Sequence, residues 1–305
     1  MKTGNKRWKV VGITILAVLL LCIVTALAVL FWYYPRYCSH QTTVSVEKDQ
    51  AEEITVMSCN VRCLSPLDLG KRSWFYRADL LVSDIDREDP GIIGFQEVTK
   101  WQYRYLVDAM EQYDSVITYR DDSAIAEGCP IFYNTQQFAL VDKGSFWLSE
   151  TPEVMSKDWG AAHYRICSYV ILTHKVSNKA FVVFNTHLDH VSDEARIKGI
   201  KVVLDKIAQF GGLPSVIMGD LNAEAGSQTY SSVTQHFLDA KLVAATAEGD
   251  ATYQAWGEEG KGKRIDYFMI SPSGFRVHEY HVVDIIHDGV YASDHSPIVM
   301  SLILE

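Results

Sequence analysis

Hydrophobic and polar positions divide the chain into two unequal parts. No charged residue occurs from Val10 to Pro35, and Phe31, Trp32, Tyr33 and Tyr34 close that run. It is long enough to cross a bilayer core with some tilt. Lys2, Lys6, Arg7 and Lys9 precede it. Basic residues before a span and aromatic residues at its far end predict a single-pass anchor with a cytoplasmic N-terminus. Ala26-Leu27-Ala28 offers the alternative of a cleaved signal peptide, but Val29 to Tyr34 stay apolar where such a peptide turns polar. The pattern therefore predicts a basic cytoplasmic segment over 1–9, a transmembrane anchor over 10–35 and a polar stalk over 36–53. The bulk of the chain, 54–305, is then extracytoplasmic and tethered to the cell membrane.

From Ile54 onward the period alternates between that of strands and that of helices. Strands are predicted over 54–60, 92–97, 116–119, 130–133, 138–148, 166–174, 181–187, 216–219, 264–270, 275–283 and 298–304. Trp74, Phe75, Ala78, Leu81, Val82 and Ile85 mark a helix over 72–86, stopped by Asp89-Pro90-Gly91. A second helix follows Thr99, a candidate N-cap, and runs to Met110. A third covers 193–210, capped by Ser192 and ended by Gly211-Gly212. No linker-like stretch interrupts this series. One domain of two packed sheets with outer helices is the simplest arrangement.

Charge narrows the partners. The chain has 28 Lys and Arg against 38 Asp and Glu, a formal charge of −10 over 305 residues. The first 36 residues hold five of the bases and no acid, so the remainder is more acidic still. That remainder lacks the basic track of a tight binder of long nucleic acid, although a nuclease bridging to phosphate through metal is not excluded. None of the six cysteines has metal-ligand spacing, and buried free thiols are expected, with an extracellular disulfide left open.

The chemistry lies where the apolar strands turn polar. The strand at 54–59 ends at Asn60, that at 92–96 at Glu97, and that at 181–186 at His187. Val216-Ile-Met-Gly219 runs into Asp220-Leu-Asn222. Strand alternation predicts that Asp220 and Asn222 share a face, with Gly219 admitting a ligand close to the backbone. Asp266 and the pair Asp294-His295 sit beside two further strands. A rim of carboxylates, amides and imidazoles suits a hard divalent cation, Mg2+ or Mn2+, and phosphoryl chemistry.

Asn60, Glu97, Asn185-Thr-His187-Leu, Gly219-Asp-Leu-Asn222, Arg264-Ile-Asp266-Tyr and Ser293-Asp-His295 resemble, in order, the motifs of the endonuclease/exonuclease/phosphatase superfamily. That superfamily includes DNase I, apurinic endonucleases, neutral sphingomyelinases, inositol polyphosphate 5-phosphatases and nocturnin-type deadenylases. The resemblance implies an α+β fold, a DNase I-like four-layer αββα sandwich, here preceded by one transmembrane helix. It also implies metal-dependent cleavage of a phosphoester. Tyr119-Arg120-Asp121-Asp122, Phe146 to Pro152, Trp159-Gly160-Ala161-Ala162 and Asn185 to His190 are similar to the stand-alone bacterial members. The chain departs from their pattern at His163, where a Leu or similar residue is expected.

Roles follow as expectations. Asn60, Glu97 and Asp294 would hold the metal. Asp220 would orient and deprotonate the attacking water, and Asn222 would position it or the phosphate. His295 would contact a phosphate oxygen with Asp266 fixing its tautomer, and His187 would be a second donor. Arg120 and Arg165 would clamp a second anionic group or the non-bridging oxygens. Trp159, like Trp147, would stack a base or cover a lipid, and His190 would line the rim or start a helix. The expected function is that of a membrane-anchored, Mg2+-dependent phosphoesterase without an obligate protein partner. Its substrate would be a lipid head group, a nucleotide or an oligonucleotide. An extracellular endo- or exonuclease on DNA or RNA is the alternative. A catalytically silent binding module is a third reading, weakened because every motif position keeps a chemically competent residue.

Overall fold

A computed structural model describes residues 4–37 and 52–305. The first of these segments is one helix, α1 (Gly4–Tyr37). Its Trp8–Ala28 portion has a mean hydropathy of 3.0, and none of it is buried. By length and composition α1 is able to cross a membrane, a test that a signal sequence also passes. Most of the expected stalk, 38–51, lies outside the described residues.

The remainder begins with β1 (Glu53–Asn60), α2 (Trp74–Glu88), β2 (Ile92–Gln96), β3 (Val98–Thr99) and α3 (Lys100–Ala109). Next come β4 (Tyr113–Val116), β5 (Glu127–Gly128), β6 (Ile131–Asn134), β7 (Phe138–Trp147), β8 (Ile166–His174) and β9 (Lys179–His187). Then follow α4 (Asp193–Ile207), β10 (Ser215–Asp220), α5 (Gln228–Thr234), β11 (Leu238–Asp239), α6 (Ala240–Val243) and β12 (Thr246–Glu248). The chain ends with β13 (Asp266–Ile270), β14 (Phe275–Val282), β15 (Ile286–His287), β16 (Val290–Tyr291) and β17 (Ile298–Leu304).

Seven strands form one sheet in the order β12-β14-β17-β1-β2-β6-β4, and six form another in the order β11-β13-β10-β9-β8-β7. Val56, Ile92 and Ile131 of the first sheet pack against Val183, Val216, Met218 and Phe268 of the second. The outer face of the first sheet, with Met57, Cys59 and Phe95, is covered by Trp74, Leu81 and Leu106 of α2 and α3. Phe184 and Ile217 on the outer face of the second lie under Ile200 and Val203 of α4 and Val233 of α5. This is the four-layer αββα sandwich of the DNase I-like fold. Both faces of the central strands are dry, so they read as unbroken apolar runs. Each large side chain so buried contributes on the order of 2 kcal/mol.

Register brings the polar ends together. β1 and β2 are parallel, with Asn60 opposite Gln96, and β9 and β10 are parallel, with His187 opposite Asp220. β13 runs antiparallel to β10 and starts where β10 ends, with Asp266 opposite Asp220. β17 runs antiparallel to β1, so the segment entering it, Asp294-His295, lies at that same rim. Two expectations shift here. The strand expected over 264–270 starts at Asp266, and the one expected over 116–119 lies at Tyr113–Val116.

Candidate active site

Three residues at the rim hold left-handed backbones without being glycine: Arg62 (φ 54°), Glu97 (φ 63°) and Asn222 (φ 47°). Each follows a strand by one or two residues, and such conformations persist only where the surroundings enforce them. Glu97 thereby leaves the pleat of β2. Asn222 closes a turn in which its N–H donates to Asp220 Oδ1 at 2.8 Å and its Nδ2 donates to Leu188 O at 3.0 Å. Strand alternation therefore does not bring Asp220 and Asn222 together; β10 stops at Asp220 and a turn does it. Gly219 also differs from expectation. Its φ is 132°, and a Cβ there would lie 1.9 Å from Thr186 O. The glycine admits the neighbouring strand β9, not a ligand.

Asn60, His187, Asp220, Asp266, Asp294 and His295 are buried side by side, and half-buried Glu97 joins them. Asn60 Nδ2 donates to Glu97 Oε1 at 3.1 Å and to Asp220 Oδ2 at 3.2 Å. Its Oδ1 accepts the Arg62 N–H at 2.9 Å, which fixes the sense of the amide. Asn60, expected to help hold the metal, turns its NH2 toward the carboxylates and its oxygen toward the Arg62 N–H. Cys63 N–H donates to Glu97 Oε2 at 2.9 Å. His295 Nδ1 lies 2.9 Å from Asp266 Oδ2, and its Nε2 lies 3.8 Å from Asp220 Oδ2. His187 Nε2 is 3.4 Å from the same Asp220 oxygen.

These surroundings set the protonation states apart. Burial, then Asp266, pushes Asp220 up to about 7. Burial alone would discharge His295, but Asp266 and then Asp220 outweigh it and raise it to about 10. Burial and Arg165 hold His187 well below the usual imidazole range, against the pull of Glu97. For Glu97 the penalty of burial is overcome by His187, the Cys63 N–H, His295 and Arg62, so it stays ionised. Burial raises Asp294, whose Oδ1 is enclosed without a hydrogen-bond partner among the described residues. An orphaned carboxylate oxygen beside the ionised Glu97 fits a hard cation with oxygen ligands. Asp220, Asp266 and His295 are also close enough together to hold a metal. A protonated His295 bonded to Asp266 repels a cation, so the Glu97–Asp294 side is the better seat.

Residues assigned no role from the sequence brace this centre. Asn185 Nδ2 donates to Phe95 O at 2.7 Å and Pro130 O at 2.9 Å, while its Oδ1 accepts from Gln96 Nε2 at 2.7 Å, joining the two sheets below the rim. Gln102 Oε1 accepts from Leu64 N–H and Thr99 N–H, and its Nε2 donates to Arg62 O at 2.8 Å. Fully buried Arg77 donates to Val61 O at 2.6 Å, Arg62 O at 2.7 Å, Ala292 O at 2.8 Å and Arg72 O at 3.0 Å. The one signal for Arg77 was a charge on the apolar face of α2, between Trp74 and Ala78.

The centre opens into a cavity of about 780 Å3 that Arg120, Glu127, His163, Arg165, His190 and Arg196 also line. Arg120 Nη1 pairs with Glu127 Oε2 at 2.5 Å. Burial, then Glu97, pushes Glu127 up to about 7. Arg120 and Arg165 thus share the cavity with Glu97, His187, Asp220, Asp294 and His295, as does His190. Trp159 does not. It lines a separate cleft of about 460 Å3 over α4, where Lys198 Nζ lies 5.6 Å from its ring and Glu150 accepts its Nε1–H. Trp147 donates to Arg120 O at 2.8 Å and acts as a support.

Residues 57–295 match the model of the Endonuclease/Exonuclease/phosphatase family. The chain belongs to that family. Its members hydrolyse phosphoester bonds, generally with divalent metals. An endonuclease/exonuclease/phosphatase protein of Bacteroides vulgatus superposes with a TM-score of 0.79 at 29% identity, covering 83% of this chain and 99% of that one. A mannosyl-6-phosphatase of Bacteroides thetaiotaomicron gives 0.76 at 30% identity, covering 82% and 99%. A CCR4-Not 3'-5'-exoribonuclease subunit of Aspergillus niger is 22% identical over 250 residues, which span 63% of this chain but only 38% of that protein. Family members thus range from a sugar phosphatase to ribonuclease subunits.

Proposed function

We propose that this protein is a Mg2+- or Mn2+-dependent phosphoester hydrolase, anchored in the membrane by α1 and acting outside the cytoplasm. The observation that carries the chemistry is Asp220. It is a buried carboxylate shifted to about 7, touched by two imidazoles and set beside the ionised Glu97. A base of that strength takes a proton at neutral pH and gives it up again.

Glu97 and Asp294 would hold the cation, which when bound offsets the charge on the phosphate oxygens. Asp220 orients the attacking water and accepts its proton. His295, kept protonated by Asp266, donates to a non-bridging oxygen as negative charge grows there. The Asn60 NH2, with both its protons given to Glu97 and Asp220, holds those carboxylates in place, and Asn222 fixes the turn that aims Asp220. His187, held neutral, has a single ring N–H, and its Nε2 faces Asp220 at 3.4 Å, so its part is to orient that carboxylate. Asn60 therefore serves this reading first as a brace between the two carboxylates.

A small phosphoester is favoured over a long polymer. The cavity is bounded and the domain is acidic, which opposes a nucleic-acid track. Similarity to the mannosyl-6-phosphatase supports a monoester. Similarity to the exoribonuclease subunit supports the second reading, a nuclease. The test is turnover of hexose phosphates, nucleotides, phosphatidylinositol phosphates, bis-p-nitrophenyl phosphate, plasmid and RNA in Mg2+ or Mn2+, with Asp220→Asn in parallel. Turnover of the small esters, lost in EDTA and in the variant, is the expected result. Cleavage of polymer alone would establish the nuclease, and turnover unaffected by Asp220→Asn would overturn the mechanism.

A further inference from the structure

We propose that the loops around the mouth of the active-site cavity form a membrane-docking surface, which turns the cavity onto the bilayer that α1 enters and makes the substrate a phosphorylated lipid head group. The substrate class rests on the phosphoesterase reading; the docking surface does not.

The exposed apolar side chains are placed unevenly. Leu67 and Leu69 are 86% and 78% exposed on the loop that leaves β1 past Asn60. Trp101, at the start of α3 and just past Glu97, is 60% exposed. Ile125 is 73% exposed on the β4–β5 loop that carries Arg120, Val154 is 58% exposed on the β7–β8 loop that carries Arg165, and Val191 is 63% exposed just past His187. All five segments leave strands at the end where register gathers the site. The turns at the opposite end, after β6, β8, α4 and β13, hold only Val176, at 39%. Val107 and Val141 lie along α3 and β7, and Leu238, Leu242 and Val243 lie at the edge of the sandwich that β11 and α6 close. Single exposed apolar residues are ordinary, but a crown of them at one end, around a cavity, marks an interaction surface.

Hydrogen bonds hold these loops with their apolar tips outward. Arg62 Nε donates to Asp68 Oδ2 at 2.9 Å and Asp68 N–H donates to Ser65 O at 3.2 Å, which fixes the backbone on either side of Leu67. Ala126 N–H donates to Ser123 O at 3.2 Å and closes the turn that bears Ile125. Val191 N–H donates to Asp189 Oδ1 at 3.0 Å. Leucine, isoleucine, valine and tryptophan held in this way suit the boundary between lipid head groups and acyl chains. Asp68, Asp121, Asp122, Glu150 and Glu153 share the loops with Lys71, Arg72, Arg120 and Lys157, so the attachment is by apolar insertion and not by charge. Reach permits it. β1 carries the chain from Glu53 up to the rim, about 26 Å over its length. The 38–52 segment between α1 and β1 spans up to about 50 Å when extended, so the rim can turn back onto the bilayer that holds α1. The same tether keeps the crown beside lipid and raises its effective concentration there.

The first measurement places the full chain in vesicles of phosphatidylcholine brominated along its acyl chains. The emission lost between wild type and Trp101→Phe is the Trp101 signal, since the other tryptophans, those of α1 included, are common to both. Bromine should quench about half of that signal or more. About 1 M salt, which screens charge beyond about 3 Å, should not restore it. A Trp101 signal equal in brominated and ordinary vesicles would overturn the docking surface. The second measurement uses Leu67→Asp combined with Ile125→Asp, both far into solvent and tolerant of folding. In Mg2+, kcat/KM for phosphatidylinositol 4-phosphate in vesicles should fall at least about tenfold, while that for soluble p-nitrophenyl phosphate stays unchanged. Equal losses on both substrates, or no loss on vesicles, would sink the inference. Turnover of the soluble ester alone by a docked wild type would overturn the lipid substrate and leave the phosphoesterase reading standing. A quenched Trp101 with no turnover of any ester would leave the docking surface standing and overturn the phosphoesterase reading.

Discussion

Replacing Arg77 with Leu tests whether the rim is held from beneath by one buried guanidinium. Arg77 is completely enclosed, and its nitrogens donate to Val61 O, Arg62 O, Ala292 O and Arg72 O. Those carbonyls belong to two site segments, the loop leaving β1 and the segment entering Asp294-His295. Trp74 and Trp256 flank the guanidinium at 5.2 Å and 5.5 Å. Leucine fills much of the space but leaves two buried acceptors, Val61 O and Ala292 O, without donors, while Gln102 Nε2 still serves Arg62 O. Each such orphan costs about 1–3 kcal/mol, while removal of the buried charge returns part of that. A net loss of roughly 3 kcal/mol follows, equivalent to about 8 °C in Tm for a domain of this size. Thermal unfolding followed by near-ultraviolet circular dichroism reads the stability. Turnover measured well below the new Tm reads the site, and a fall in kcat of at least about tenfold is expected as Arg62 and Asp294 lose their support. Arg77→Lys should recover only part of both, because an ammonium does not span four carbonyls. A Tm within about 2 °C of wild type together with unchanged kcat would refute the reasoning.

Three further outcomes are expected. Gly219→Ala should lower stability by on the order of 3 kcal/mol or prevent folding, since its Cβ would meet Thr186 O at 1.9 Å with φ at 132°; a urea midpoint near that of wild type would contradict the account. Asp266→Asn should cut kcat by at least about a hundredfold with a small change in Tm, because His295 loses the partner that keeps it charged, and single-turnover kinetics would reveal it. Asp189 is held below the usual carboxylate range, against burial, by the N–H groups of Ser192 and Val191, by Arg165 and by His163. A depressed folded-state pKa means stability that is present above about pH 4 and lost as pH falls through the folded value. Asp189→Asn should therefore cost roughly 2 kcal/mol at pH 7, with the gap closing as pH drops below about 4; a gap constant with pH would show that the charge is irrelevant.

Much of this centre was legible because a parallel strand must end where its neighbour ends. Asn60, Glu97, His187 and Asp220 each close an apolar run, and β-sheet register then gathers them at one rim. Helices α2 and α4 were legible from their apolar spacing. What escaped depended on local backbone geometry or on long-range contact. Asn222 bends into a left-handed turn that no alternation rule foresees. Gly219 was assigned to a ligand because its neighbour β9, contributed by residues far away in the chain, cannot be seen in the sequence. Arg77 drew no notice within an amphipathic helix, and only the fold supplies its carbonyls. Trp159 sits in a motif beside Arg165, yet its loop carries it into another cleft. The short strands β3, β5, β11 and β12 have too few residues to show a period.

The most direct test of the central claim is Mg2+ titration of the thermal unfolding and turnover of wild type, Asp294→Asn and Asp220→Asn together. The account predicts that Mg2+ raises the Tm of wild type and of Asp220→Asn, by about 2.7 kcal/mol of stabilisation at a hundredfold excess over Kd. Asp294→Asn should lose most of that rise, and turnover should appear only in wild type. A Tm that Mg2+ leaves unmoved in wild type, or turnover retained by Asp220→Asn, would contradict it.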